Sequence, residues 1–274
     1  MRRALAGIVA LSAGASPIGV LLMLRRMSLT GDAMAHAILP GAAAGFLVAG
    51  LDLLPMAAGG LVAGLVVALL SGLVSRATPL KEDASLASFY LISLALGVTL
   101  VSIGGSNVDL MHVLFGSVLA MDDQALVLIA GVATVSLVAL AVIYRPLVIE
   151  CVDPGFLATV SRLGPVVHLT FLGLVVLNLV AGYQALGTLL SVGLMMLPAA
   201  AARFWARSLG RLMLVAFAAA VISGFCGLLV SYHLGLPSGP AIVLVAGVGY
   251  GVSLALGPVD GVLTGLVRRR HRAA

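Results

Sequence analysis

Leu24-Arg-Arg-Met-Ser-Leu-Thr-Gly-Asp-Ala-Met-Ala-His-Ala-Ile-Leu-Pro-Gly41 opens with paired arginines, then sets an acid and an imidazole among small and apolar residues. Asp32 and His36 are four apart. In a helix they lie about 40° apart around the axis and share one face. That spacing suits two ligands to one metal ion. Pro40 follows His36 by four residues, so the His36 carbonyl loses its usual helical N–H partner and the spacing predicts a bend. A freed carbonyl beside two such ligands is what a cation pathway uses. The competing reading makes Asp32 a helix cap and His36 a hydrogen-bonding residue at a helix interface. An ionisable pair at membrane depth is costly and is therefore as a rule functional, which favours the ligand reading.

The rest of the chain supplies the membrane. Of its 274 residues, 62% are hydrophobic and 9% charged, against roughly a quarter charged in soluble domains. Apolar segments of about 20 residues, enough to cross the hydrocarbon core, recur from end to end. The sequence therefore predicts an all-α fold: a polytopic membrane helical bundle of eight or nine transmembrane helices, forming a single domain over residues 1–274. Spans are expected near 4–24, 31–50, 56–75, 84–103, 125–144, 166–186, 188–202, 212–232 and 240–257. The seventh is short and follows Gly187, so it and the sixth make either a hairpin or one broken helix. Glycines at Gly41/Gly45, Gly60/Gly64 and Gly247/Gly251 have the small-xxx-small spacing that lets membrane helices approach closely. Cys151 and Cys226 are isolated, which disfavours a disulfide framework or a thiolate metal site.

Charge gives the orientation. Placing Arg25, Arg26, Arg76, Lys81, Arg145, Arg162, Arg203, Arg207, Arg211 and the tail arginines 268, 269, 270 and 272 in the cytoplasm accounts for 13 of the 15 basic residues. Nine alternating spans then put the N-terminus outside and the C-terminus inside, by the positive-inside bias. The net charge of +5 sits at span ends rather than on one surface, so it speaks for topology and not for nucleic acid.

Residues 104–124 are too short to cross and too apolar for an ordinary loop. A re-entrant or half-length helix near residues 106–120 is the form allowed at membrane depth. It carries Asp109 and His112, three apart and again on one helical face; the plainer reading is an interfacial helix with both side chains solvated. Taken with Asp32 and His36, two acids and two imidazoles form a donor set suited to Zn²⁺ or Mn²⁺. On the cytoplasmic side, Arg203, Arg207 and Arg211 repeat every four residues with Phe204 and Trp205 between them. This predicts a short amphipathic helix that docks in a partner's groove, or else a loop lying on headgroups. Glu150, Asp153 and Pro154 read as helix-boundary residues. His168 and His233, near span ends, read as hydrogen-bonded or snorkelling imidazoles, and His271 belongs to a basic tail.

A Walker A loop requires Gly-Lys-Ser/Thr, yet the single lysine, Lys81, lies between Leu80 and Glu82. The chain is thus no enzyme by that route, and neither His-Glu-x-x-His nor Gly-x-Ser-x-Gly occurs. Energy for transport would come from an ion gradient or another subunit.

The sequence resembles the membrane permease subunits of bacterial ATP-binding-cassette importers for zinc, manganese and related metals. The resemblance covers nearly the whole chain. It rests on Leu24 to Gly41, the Lys81-Glu82-Asp83 joint, Val108 to Ala120 with its Leu-Phe-Gly, Leu194 to Arg203, and Ser231-Tyr232 followed by Leu236-Pro237-Ser238-Gly239. It implies a permease of an ATP-driven importer for Mn or Zn, or Fe, in the bacterial inner membrane, with no permanently bound cofactor. The implied partners are a second copy of the chain, a cytoplasmic ATP-binding subunit and an extracytoplasmic metal-binding protein. It also implies that Asp32 and His36 line the path, and that Ala201 to Arg211, with Arg203, Phe204, Trp205 and Arg207, forms the coupling helix. Similar permeases vary at the position of His112, whose presence leans toward manganese. Ala35 departs from the Ser of many relatives, and the N-terminus is short. The alternative from another class is a secondary carrier using Asp32 and His36 as a proton relay for a small solute; no repeat between the two halves supports it.

Overall fold

The computed structural model describes residues 2–50, 52–80, 82–103, 121–153, 156–157, 159, 161, 163–259 and 261–264. Ten helices are described: α1 (Arg2–Leu24), α2 (Thr30–Ala37), α3 (Leu39–Ala49), α4 (Leu53–Ala77), α5 (Glu82–Ile103), α6 (Asp123–Val152), α7 (Gly164–Leu186), α8 (Thr188–Ala202), α9 (Leu209–Leu234) and α10 (Ser238–Leu256). Counting α2 and α3 as one span, 8 segments are long and apolar enough to cross a membrane, and α8 is a shorter apolar helix of 15 residues. The expected all-α polytopic bundle is therefore what forms. The half-length helix expected near residues 106–120 lies outside the described residues.

Two helices make the centre. The spans of α1 and α7 are 67% and 72% buried, against 44% or less for the others. Helix α1 packs on α6, α7, α8 and α9, while α7 packs on α4, α6 and α8 and also touches α2. Ile8, Leu11, Ile18 and Leu22 of α1 meet Phe171, Val175 and Leu179 of α7 in one apolar core. Two ion pairs bracket α1 against α6, which runs parallel to it: Arg3 to Asp123 at 3.0 Å at one end, and Arg25 to Glu150 at 2.6 Å at the other. Within the core, Asn178 Nδ2 of α7 donates to Ser136 Oγ of α6 at 2.6 Å and to the Leu174 carbonyl at 2.9 Å. These bonds satisfy a polar group that apolar surroundings would otherwise penalise.

Close packing relies on glycine where backbones touch. A Cβ on Gly41 of α3 would collide with the Gly59 carbonyl of α4, and one on Gly59 with the Gly41 carbonyl. Gly60 and Gly64 of α4 receive Ile38, Val176 and Val180. Gly247 and Gly251 differ: nothing lies within 4 Å of where their Cβ atoms would stand. That expected pair makes no contact among the described residues, because spacing alone does not say which face turns inward.

The seventh span reverses direction at Gly187, whose φ of 93° suits glycine. Gly182 consequently faces Ser191, so α7 and α8 form a hairpin rather than one broken helix. Helix α6 is longer than its apolar run suggests. It continues past Arg145 and Pro146 to Val152, so Glu150 stands in its last turn and is also the largely buried member of an ion pair. The reason is that Arg25 supplies the countercharge. His168 is buried beside the same carboxylate, its Nδ1 3.7 Å from Glu150 Oε1, an ion-pair distance longer than a hydrogen bond.

Candidate functional site

Helix α2 is eight residues long and bounded by breaks on both sides. On its N-terminal side, α1 ends in a tight closure: Met27 N–H donates to the Leu22 carbonyl at 3.0 Å and Arg26 N–H to the Met23 carbonyl at 3.1 Å, the bond pattern of a Schellman motif. Arg26 occupies the position usually given to glycine, with φ 60°. On its C-terminal side, helical continuity lapses at Ile38, and Pro40 opens α3 within its first two residues. Ile38 itself keeps helical φ −74° and ψ −27°, and its N–H and carbonyl still bond Met34 and Ala42 at 3.3 and 3.1 Å, so the effect of Pro40 is a lapse in the helical hydrogen-bond ladder. Ser93 Oγ of α5 donates to the Ala37 carbonyl at 2.9 Å, which covers one acceptor exposed by the break.

Asp32 and His36 share a face of α2, as their spacing requires. Oδ1 of Asp32 and Nε2 of His36 are 3.8 Å apart. An ion bound to both at about 2.1 Å from each allows at most about 4.2 Å between them and about 3.4 Å in a tetrahedral shell, so the two atoms are within reach of one ion after closing by a few tenths of an ångström. Asp32 is the more open of the two, with 67% of its side chain exposed against 31% for His36. His36 Nδ1 is buried and has no hydrogen-bond partner among the described residues, and the ring stacks on Tyr90 of α5 with centroids 6.2 Å apart and planes at 29°. Tyr90 and Ser93 are three apart on α5 and so reach α2 from one face. Two polar residues at that spacing in an apolar span were the available signal, and the sequence reading passed over them. No group of three or more His, Cys, Asp or Glu side chains gathers for a metal among the described residues. Asp109 and His112 lie outside those residues.

The segment expected on the cytoplasmic side departs from expectation in form. Ala201 lies in the last turn of α8, which ends at Ala202, residues 203–208 make a turn, and Arg211 already belongs to α9. The predicted amphipathic helix over these residues is not a separate helix. Extended backbone at Ser208, with φ −92° and ψ 141°, starts α9 and breaks the run in which the arginines seemed to follow one face. The turn is strapped to α10: Trp205 Nε1 donates to Ser253 Oγ at 3.0 Å, Phe204 packs on Tyr250 with centroids 6.1 Å apart, and Val259 N–H donates to the Phe204 carbonyl at 2.9 Å. Arg203 and Arg207 are exposed, and so in part is Trp205, at 48%.

The chain that carries this short donor-bearing helix and basic turn matches known proteins over nearly all of its length. Residues 1–257 fit the ABC 3 transport family. The chain belongs to that family. Among ABC 3 relatives, the manganese import system permease protein ScaB of Streptococcus parasanguinis is 32% identical over 258 residues, covering 94% of this chain and 91% of the relative. The manganese transport system membrane protein MntC of Listeria monocytogenes is 32% identical over 265 residues, covering 96% and 92%. In three dimensions, PsaBC from Streptococcus pneumoniae, solved in complex with Fab, matches with a TM-score of 0.84 at 29% identity and covers 96% of this chain and 94% of its own. This ABC 3 chain is accordingly a multi-pass membrane permease.

Proposed function

We propose that the chain is the permease of an ATP-driven importer for a divalent transition metal, with manganese the favoured cargo. The observation that carries this is the Asp32–His36 pair, set at ion-sharing distance on a broken helix. The names of the ScaB and MntC relatives support manganese over zinc or iron. The working assembly is a homodimer with two cytoplasmic ATP-binding subunits and an extracytoplasmic metal-binding protein. The N-terminus lies outside and the C-terminus in the cytoplasm, as the arginine distribution suggests.

Alternating access follows from these parts. A partly dehydrated ion passes to Asp32 and His36, whose carboxylate offsets its charge in a low-dielectric passage. Two protein donors leave the rest of the shell to water, to the partner copy, or to Asp109 and His112 as an outer gate. An open shell of this kind binds and still releases. The exposed turn carrying Arg203, Phe204, Trp205 and Arg207, continued by Ala201 and Arg211 in the adjoining helices, is the contact through which the ATPase moves the bundle.

Metal uptake into vesicles holding the complex, with and without ATP, tests the reading. Asp32→Ala and His36→Ala should abolish Mn²⁺ accumulation while the complex still assembles. Normal uptake by both variants refutes the assignment, and uptake that needs no ATPase favours the proton-relay carrier instead. Competition by Zn²⁺ and Fe²⁺ ranks the cargo.

A further inference from the structure

The turn between α1 and α2 holds two features that transport alone does not require. Arg26 adopts the left-handed conformation at φ 60°, which an L side chain disfavours. Such residues persist where their surroundings over-determine them. Next to it, Arg25 is 2.6 Å from Glu150 Oε1 with the two side chains only 7% and 10% exposed. Its guanidinium stands 5.0 Å from the Phe171 ring centroid. His168 Nδ1 approaches the same Glu150 oxygen from α7.

A buried ion pair is poor evidence for stability, because desolvating two charges consumes most of what their attraction returns. What it supplies is a fixed point, tying the end of α1 to α6 and α7. From that point the chain runs without slack into α2: Thr30 N–H donates to the Met27 carbonyl at 3.1 Å and Ala33 N–H to the Leu29 carbonyl at 3.0 Å. Met27, Thr30 and Met34 are buried along the way. The rotation of α2 about its axis, and with it the direction of Asp32 and His36, is set at this turn.

We propose that Arg25 and Glu150 are positioning residues for the Asp32–His36 pair, their buried contact holding the left-handed turn from which α2 departs. The proposal rests on the reading of Asp32 and His36 as cargo ligands. Neither Arg25 nor Glu150 touches the ion; they act as outer supports do when they orient a ligand, and their loss weakens binding without removing a donor.

The test titrates Mn²⁺ alone onto the solubilised permease–ATPase complex and reads the free ion by its paramagnetic resonance signal. Replacing both partners at once, Arg25→Met with Glu150→Met, removes the charges while keeping the site filled with apolar volume. The expected result is a dissociation constant raised about tenfold or more, with the number of ions bound per complex unchanged. Arg25→Lys, which keeps a cation opposite Glu150, should recover part of the affinity. A fall in ions bound at an unchanged constant, or loss of assembly in every variant, would mean a purely structural role and overturn the proposal. Asp32→Ala separates the two layers. If it leaves binding intact, the ligand reading fails; if it abolishes binding while the double variant binds like the native chain, only the positioning role fails.

Discussion

The Tyr90 ring of α5 lies over the His36 imidazole of α2, centroids 6.2 Å apart, and thereby limits the rotation of the one aromatic donor of the pair. A ligand ring free to swing binds an ion at a greater entropic cost. Tyr90→Ala should lower Mn²⁺ uptake about tenfold, the scale of a lost outer support, while Tyr90→Phe keeps the face and most of the activity. Equal uptake by both variants in vesicles would show that the stacking contributes nothing.

Arg26 invites a change that improves the fold. A left-handed L residue costs about 1 kcal/mol or more, and glycine carries no such penalty. Arg26→Gly should raise the melting midpoint of the solubilised chain by about 2 °C. A lower midpoint would indicate that the arginine side chain contributes more than its backbone costs.

Contact between α3 and α4 is backbone on backbone, so a single methyl group discriminates. Gly41→Ala forces a Cβ into the Gly59 carbonyl and should cost about 1 to 3 kcal/mol as overpacking, seen as loss of monodisperse protein on size exclusion. Gly72→Ala, where nothing lies within 4 Å of the new atom, should purify like the native chain. Identical behaviour of the two variants would contradict the close approach.

The hydrogen bond from Trp205 to Ser253 connects the basic turn to α10. Ser253→Ala removes an acceptor worth about 1 kcal/mol and should leave assembly intact while lowering the metal moved per ATP hydrolysed. Parallel uptake and phosphate-release assays measure that ratio. No change in it would make the strap dispensable for coupling.

What the sequence disclosed and what it hid divide along physical lines. Apolar length, Pro40 and the Asp32–His36 spacing are local, so the spans, the break at Ile38 and the shared face of the pair were all legible. Long-range partners were not. Arg145 looked like the end of the fifth span because nothing near Glu150 in the chain signals that Arg25 will neutralise it, and α6 consequently runs on to Val152. The four-residue repeat of Arg203, Arg207 and Arg211 imitates one helical face, yet extended backbone at Ser208 divides it between a turn and the next helix. Tyr90 went unnoticed because an aromatic residue in an apolar span carries no mark of which neighbour it will cover.

Helix α2 holds the two donors on a cylinder about 12 Å long, joined to α1 through the left-handed turn at Arg26 and to α3 through Ile38, where Pro40 withholds one helical hydrogen bond. A small twist of that cylinder would re-aim carboxylate and imidazole together while the long scaffold helices stay in place. On the proposed reading of Asp32 and His36 as ligands, the ion's surroundings would change at the two ends of α2 instead of through a rearrangement of the whole bundle.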